Sequence, residues 1–183
     1  MRVVSVVIAV GWVLFWLYWL AASVGVKAGR GRWRRTLGAR VAILVVVVAL
    51  LRIRGVRTAL APIRGPALVG VGLALFLLGL GLAVWARLHI GRNWGTPMSQ
   101  KVDPELVTSG PYHRVRHPIY SGIILATIGT ALAVSLFWLV AAVVLGGFFY
   151  YSARTEERYM TGLFPEQYPA YQRSTKMLIP FVL

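Results

Sequence analysis

The chain has 183 residues, too few for a soluble catalytic domain beside a membrane unit. A hydrophobic content of 58% and a mean hydropathy of +0.70 set it among membrane proteins. Its 20 Lys and Arg outweigh 5 Asp and Glu, but they flank apolar runs instead of forming one stripe, so anionic lipid headgroups and not nucleic acid are the expected counter-surface. Without cysteine there are no disulfides, no Cys-ligated zinc and no thiol nucleophile.

Val3 to Val26 carries no charge over 24 residues, enough for a bilayer-spanning helix of about 36 Å. Trp12, Trp16, Tyr18 and Trp19 mark an interface or a packing face within it. Its length argues for a retained anchor over a cleaved signal, although Ala21-Ala22-Ser23 has the small residues of a cleavage site. Six basic residues follow between Lys27 and Arg40, and then Val41 to Leu51, an apolar run of 11 residues. That run is short for a span, and a tilted, re-entrant or extended helix over residues 37–60 fits equally. A second basic loop reaches Gly65, and Ala67 to Leu88 is a span with one charge, Arg87, at its end. Gly70 with Ala74 and Gly79 with Ala83 offer small-residue faces for close helix packing, within the chain by default or in a dimer.

His89 to His117 is a long polar loop, and long loops in compact proteins are usually functional. His89 is expected at the interface without a role, and Asp103 and Glu105 as solvated turn residues. The loop ends in Val107-Thr108-Ser109-Gly110-Pro111-Tyr112-His113-Arg114-Val115-Arg116-His117-Pro118-Ile119-Tyr120-Ser121-Gly122. Gly110-Pro111 punctuates a turn, and Pro118 suits the first position of a helix, where its missing N–H costs nothing. Ile119 to Tyr151 is uncharged over 33 residues, too long for one span. It reads as two helices turning near Thr130 to Ser135, the second running on to about Met160. The proline- and tyrosine-bearing tail, from Thr161, reads as a short helix and an extended end.

Thr-Ser-Gly-x-Tyr-x-x-x-Arg-His-Pro-x-Tyr-x-Gly, an apolar hairpin, Glu156-Glu157, Tyr168-x-x-Tyr171 and Ile179-Pro180 occur in that order. This pattern, spanning roughly Gly91 to Pro180, resembles the isoprenylcysteine carboxyl methyltransferase family, and related phospholipid methyltransferases share part of it. The segment Gly91-Arg92-Asn93-Trp94-Gly95 also resembles one upstream of that family's signature. The resemblance implies methyl transfer from S-adenosylmethionine in an all-α integral membrane protein, with about five transmembrane helices, a C-terminal helical hairpin and a cytosolic cofactor pocket. Residues 1–88 would then be a transmembrane region shaping the acceptor site, and 89–183 the methyltransferase region.

S-adenosylmethionine carries a carboxylate, an ammonium, a sulfonium and an adenine. Its site therefore wants a cation, an acceptor and aromatic or apolar walls. A hairpin returns to its starting face, so residues about 40 apart at its two ends meet. Together with the resemblance this assigns Tyr112, Arg116, His117, Pro118, Tyr120 and Glu156 to the cofactor, and Arg154 and Glu157 to catalysis. A carboxylate near a helix C-terminus opposes the macrodipole, so Glu156 and Glu157 need partners, which Arg154 and Arg158 would supply in a purely structural role. No metal-ligand spacing surrounds His117, and no Gly-x-Gly-x-x-Gly follows a strand.

The N-terminal half matches the family poorly, which leaves the acceptor open: a prenylcysteine carboxylate, a phospholipid amine or another lipophilic or lipidated molecule. A membrane reductase of the sterol-reductase type and a non-catalytic scaffold are the competing readings. With five spans, fifteen basic residues lie on the side of the signature loop and tail and five on the other. That bias puts loop and C-terminus in the cytoplasm, and the membrane would be the inner or plasma membrane if the source is bacterial.

Overall fold

A computed structural model of the chain describes residues 2–22, 29–30, 65–94, 100–101 and 105–180. The apolar run at residues 41–51 and Asp103 lie outside them. Five α-helices occur among the described residues: α1 (Arg2–Ala21), α2 (Pro66–Ile90), α3 (Pro118–Ala133), α4 (Trp138–Leu163) and α5 (Gln167–Ser174). Single 3₁₀ turns form at Gly91–Asn93 and Gly110–His113. Beyond helix and turn, the described residues hold a two-residue antiparallel pairing of Gly29–Arg30 with Gln100–Lys101 and an isolated parallel bridge between Val115 and Lys176.

Two stretches are long and apolar enough to cross a membrane, Val3–Ala21 and Pro66–Asn93. Their apolar side chains point largely outward, among them Val3, Leu14, Leu20, Leu78 and Leu88. Such faces are stable against lipid and not against water. The protein is an integral membrane protein. The helix α3, with 16 residues, is shorter than either stretch, and α4 leaves its apolar part after Tyr151 to continue as a polar helix to Leu163.

Glycine decides how α2 and α3 pack, the most extensive pairing in the molecule. A Cβ on Gly129 would lie 2.3 Å from the Phe76 backbone nitrogen, and one on Gly79 2.4 Å from that of Ala126. Cβ atoms on Gly72 and Gly122 would lie 2.7 and 2.6 Å from the Gly129 and Gly79 carbonyl oxygens. These pairs are seven apart on each helix, two turns, so one stripe of backbone meets another. The expected small-residue face is thus used inside the chain, through Gly79 and Ala83 as expected and through Gly72 in place of Gly70. Gly70 and Gly81 face open space.

The turn of the hairpin is formed by residues 134–137, overlapping only the end of the expected region, and Thr130 lies inside α3. Its hydroxyl donates to the Ala126 carbonyl at 2.9 Å and accepts from the Trp12 indole N–H at 3.1 Å. A threonine whose hydroxyl is satisfied by the preceding turn does not break a helix. The same bond seats α1 on α3, and Trp12 packs edge-on to the fully buried Phe76.

Candidate functional site

The loop enters α3 through a locally determined path. Gly110 has φ of 59°, a left-handed conformation that favours glycine. A Cβ there would also strike the His89 ring at 2.6 Å. His89 is therefore a structural support: its Nε2 lies 2.9 Å from the Ser109 hydroxyl and its ring stacks near Tyr112. Tyr112 in turn donates to the Ala86 carbonyl at 3.3 Å. Pro118 is fully buried as the first residue of α3, with His117 as its N-cap. It sets where the helix starts and does not face the cavity described below.

The tail closes over this entrance. The backbone N–H groups of Arg116 and His117 donate to the carbonyls of Lys176 and Met177, at 2.8 and 3.0 Å. Ser121 donates to the Leu178 carbonyl, and Tyr171 to that of Tyr112. Arg116 Nε donates to Glu157 at 2.6 Å, and its Nη1 reaches the Gln172 carbonyl at 3.2 Å and that of Thr175. Gln172 completes the set by donating to the other Glu157 oxygen at 3.1 Å. Burial pushes the Glu157 carboxyl up, but His117 and Arg116 beside it outweigh this and hold it at about 2. Burial also raises the phenols of Tyr112, Tyr168 and Tyr171, and there it prevails, holding them well above the ordinary range so that all three stay neutral.

Beside this clasp, α3 and α4 face each other through a stack of rings. His117 lies parallel to Tyr120 at 5.4 Å, and Tyr120 to Phe149 at 4.5 Å. The Tyr120 hydroxyl donates to Glu156 at 2.6 Å. A cavity of about 170 Å³ opens here, bordered by Tyr112, Arg116, His117 and Tyr120 from the loop side and Glu156 from α4. Trp94, Glu105, Tyr159, Met160, Tyr168 and Tyr171 complete much of its wall. Two buried polar atoms on the lining residues, Asn93 Oδ1 and His117 Nε2, have no hydrogen-bond partner. His117 Nε2 faces Glu157 at 3.4 Å, a contact long for a hydrogen bond that still helps to hold that carboxyl low. Unsatisfied buried groups in a lined cavity are what a polar ligand would satisfy.

Five of the expected cofactor residues therefore line one cavity, and Pro118 stands behind it. Glu157 is buried behind Arg116, outside the lining, with Arg116 and not Arg154 as its partner. Arg154 is exposed, as is Arg158, because Ala153 and Glu157 take the inward face of α4. Glu105 is exposed, as expected, but it also borders the cavity and accepts from Asn93 at 3.1 Å. Tyr159 and Met160 went unassigned, though lying three and four residues beyond Glu156 put them on its face of the helix. Nothing local in the sequence marks Glu105.

A second cavity, about 450 Å³ and mainly apolar, lies between α1, α3 and α4. Trp12, Trp16, Ile123, Thr127 and Phe149 border it. Phe149 belongs to this cavity and Tyr120 to the first, so their stack is a wall common to both. Among the described residues no group of His, Asp and Glu is arranged to hold a metal ion.

A membrane helical hairpin closed by a polar loop and tail around an aromatic, carboxylate-bearing cavity is the class defined so far. The phospholipid methyltransferase family model matches residues 68–167, 100 of the 183. This chain belongs to that family. The cobalt-zinc-cadmium resistance protein CzcN of Cupriavidus metallidurans is 34% identical over 61% of this chain and 52% of its own length. Protein-S-isoprenylcysteine O-methyltransferase B of Arabidopsis thaliana is 31% identical over 61% of this chain and 58% of its own. A solved structure of a eukaryotic intramembrane Ras methyltransferase, isoprenylcysteine carboxyl methyltransferase, superposes with a TM-score of 0.58 at 26% identity. It covers 83% of this chain and 54% of the other. The chain spans about half the length of the curated relatives it matches.

Proposed function

We propose that this chain is an integral-membrane methyltransferase that moves a methyl group from S-adenosylmethionine to a lipophilic acceptor. The observation that carries the reading is the single cavity bordered by Tyr112, Arg116, His117 and Tyr120 from one end of the hairpin and Glu156 from the other. Family membership and the names of the relatives support the same activity.

The donor chemistry fits these residues. The carboxylates of Glu105 and Glu156 and the rings of Trp94 and Tyr120 suit a ligand bearing ammonium and sulfonium charge. Arg116 and His117 suit its carboxylate. When bound, S-adenosylmethionine supplies an electrophilic methyl that passes to an acceptor lone pair as the carbon–sulfur bond breaks and a neutral thioether leaves. The protein's part is orientation and exclusion of water, and proximity alone contributes on the order of 7–11 kcal/mol. Tyr120 fixes the Glu156 carboxylate at 2.6 Å. Glu157 holds Arg116 and His117 in place from behind, a positioning role in catalysis. Arg154, exposed at the same end of the hairpin, is in our reading available to the acceptor headgroup and not to the cofactor.

The apolar cavity beyond Phe149 supports a lipophilic acceptor, with the apolar part lodged among Trp12, Trp16 and Ile123 and the reacting atom directed past the Tyr120–Phe149 stack. The headgroup is a prenylcysteine-type carboxylate or a phospholipid amine. We place the loop and tail on the cytosolic face, where the cofactor is made, with residues 37–60 deciding whether the chain crosses five times. Calorimetric titration of the purified protein with S-adenosylhomocysteine and, separately, with NADPH tests the reading. Binding of the former alone is expected. Binding of NADPH alone would replace the methyltransferase with a reductase.

A further inference from the structure

We infer that Arg87 is a positioning residue for the cofactor cavity, clasping the end of α1 and the indole of Trp94 to the last turn of α2. The inference rests on the methyltransferase reading for its catalytic meaning, but its geometry stands apart from it.

Arg87 sits where an arginine would ordinarily extend to the headgroup region, at the end of an apolar helix and near the negative end of its dipole. Instead it is 6% exposed. Nη1 donates to the Gly91 carbonyl at 2.8 Å, and Nη2 to the carbonyl of Ala22, just past α1. The guanidinium carbon lies 4.6 Å from the centre of the Trp94 ring. Trp94 meets Trp19 of α1 edge-on at 5.6 Å, and its backbone N–H donates to the same Gly91 carbonyl, at 3.2 Å. Three elements thus converge on one side chain: the end of α1, the turn after α2 and a residue bordering the cavity.

The arrangement is costly for stability alone. Burying a guanidinium forfeits hydration, and Nε is buried without a partner. What the burial secures is the position of the indole. A flat cation that reaches two diverging carbonyls while covering a ring needs the guanidinium fork, and a lysine ammonium meets only part of that demand. The same α1 carries Trp12 and Trp16 on the apolar cavity, so the clasp also fixes the acceptor side relative to the cofactor side.

The test uses the full chain in detergent micelles as wild type, Arg87→Lys, Arg87→Ala and Trp94→Phe. The Trp94 emission is the difference between spectra recorded with and without that indole, and its wavelength reports its surroundings without any ligand. The Arg87→Ala change, made with and without Trp94→Phe, is expected to shift that emission to the red, and Arg87→Lys to shift it part of the way. The dissociation constant for S-adenosylhomocysteine is expected to rise about tenfold in Arg87→Ala and less in Arg87→Lys. In turnover KM for the cofactor rises while kcat holds. An unmoved Trp94 emission in both variants overturns the clasp, and Arg87→Lys decides this if Arg87→Ala does not fold. A shifted emission with unchanged S-adenosylhomocysteine affinity reduces Arg87 to a structural role and overturns the inference. Wild-type protein that binds no S-adenosylhomocysteine refutes the methyltransferase reading, while the emission shift still decides the clasp.

Discussion

At the scale of single residues, Glu157 shows how burial and partners compete. Its carboxyl has an ordinary value of 4.5 and is held at about 2. The folded form is therefore favoured by its charge above about pH 4.5, and that contribution is lost as pH falls from there to 2. A shift of this size corresponds to about 3 kcal/mol. Glu157→Gln is expected to be less stable than wild type by roughly that much at pH 7, with the gap closing as both are acidified. Thermal unfolding in micelles across this pH range measures it, and a gap independent of pH would mean the charge is not what binds tail to loop. Much of this site was legible in the sequence, because Arg116-His117-Pro118 and Glu156-Glu157 are among the few polar groups in a greasy region. What stayed hidden was direction. Neighbouring carboxylates on a helix point about 100° apart. One, Glu156, borders the cavity, while the other is spent on Arg116. Glu105 stayed hidden for a different reason: only the fold brings its loop back against the hairpin.

Among elements, the α2–α3 contact depends on four glycines. Gly129→Ala must push its new methyl against the Phe76 nitrogen and the Gly72 carbonyl, and backbone cannot step aside as a side chain can. A loss of about 1–3 kcal/mol or more is expected. Gly81→Ala, which meets open space, is expected to be neutral or to stabilise by up to about 1 kcal/mol. Comparing melting temperatures of the two variants checks this, and equal effects would contradict the packing. Glycine content implies that helices approach closely, but not which stripe they use. Gly70, Gly72, Gly79 and Gly81 are spread around α2, and only a partner with glycines at a matching seven-residue spacing selects Gly72 with Gly79. The helix starts and the turn around Ser135 are legible close to where they fall, since Pro66, Pro118 and the break in hydropathy act locally. Thr130 was misjudged as a soft point because its hydroxyl's partners lie one turn back and on α1.

For the molecule as a whole, the basic loops predict that the signature loop and the C-terminus share the cytosolic face. Reporter fusions after Leu183 and within residues 99–102 should both read cytosolic, and opposite readings would separate tail from loop and contradict the hydrogen bonds between Lys176, Met177 and the loop. The central claim is that the two ends of the hairpin build one cofactor site. Its most direct test is a double-mutant cycle on S-adenosylhomocysteine affinity with Tyr120→Phe and Glu156→Gln, one from each end. Because the Tyr120 hydroxyl orients Glu156 at 2.6 Å, each change should weaken binding by about tenfold, and the double variant by little more than either alone. Independent losses that multiply to about a hundredfold, or no loss from either change, would contradict it.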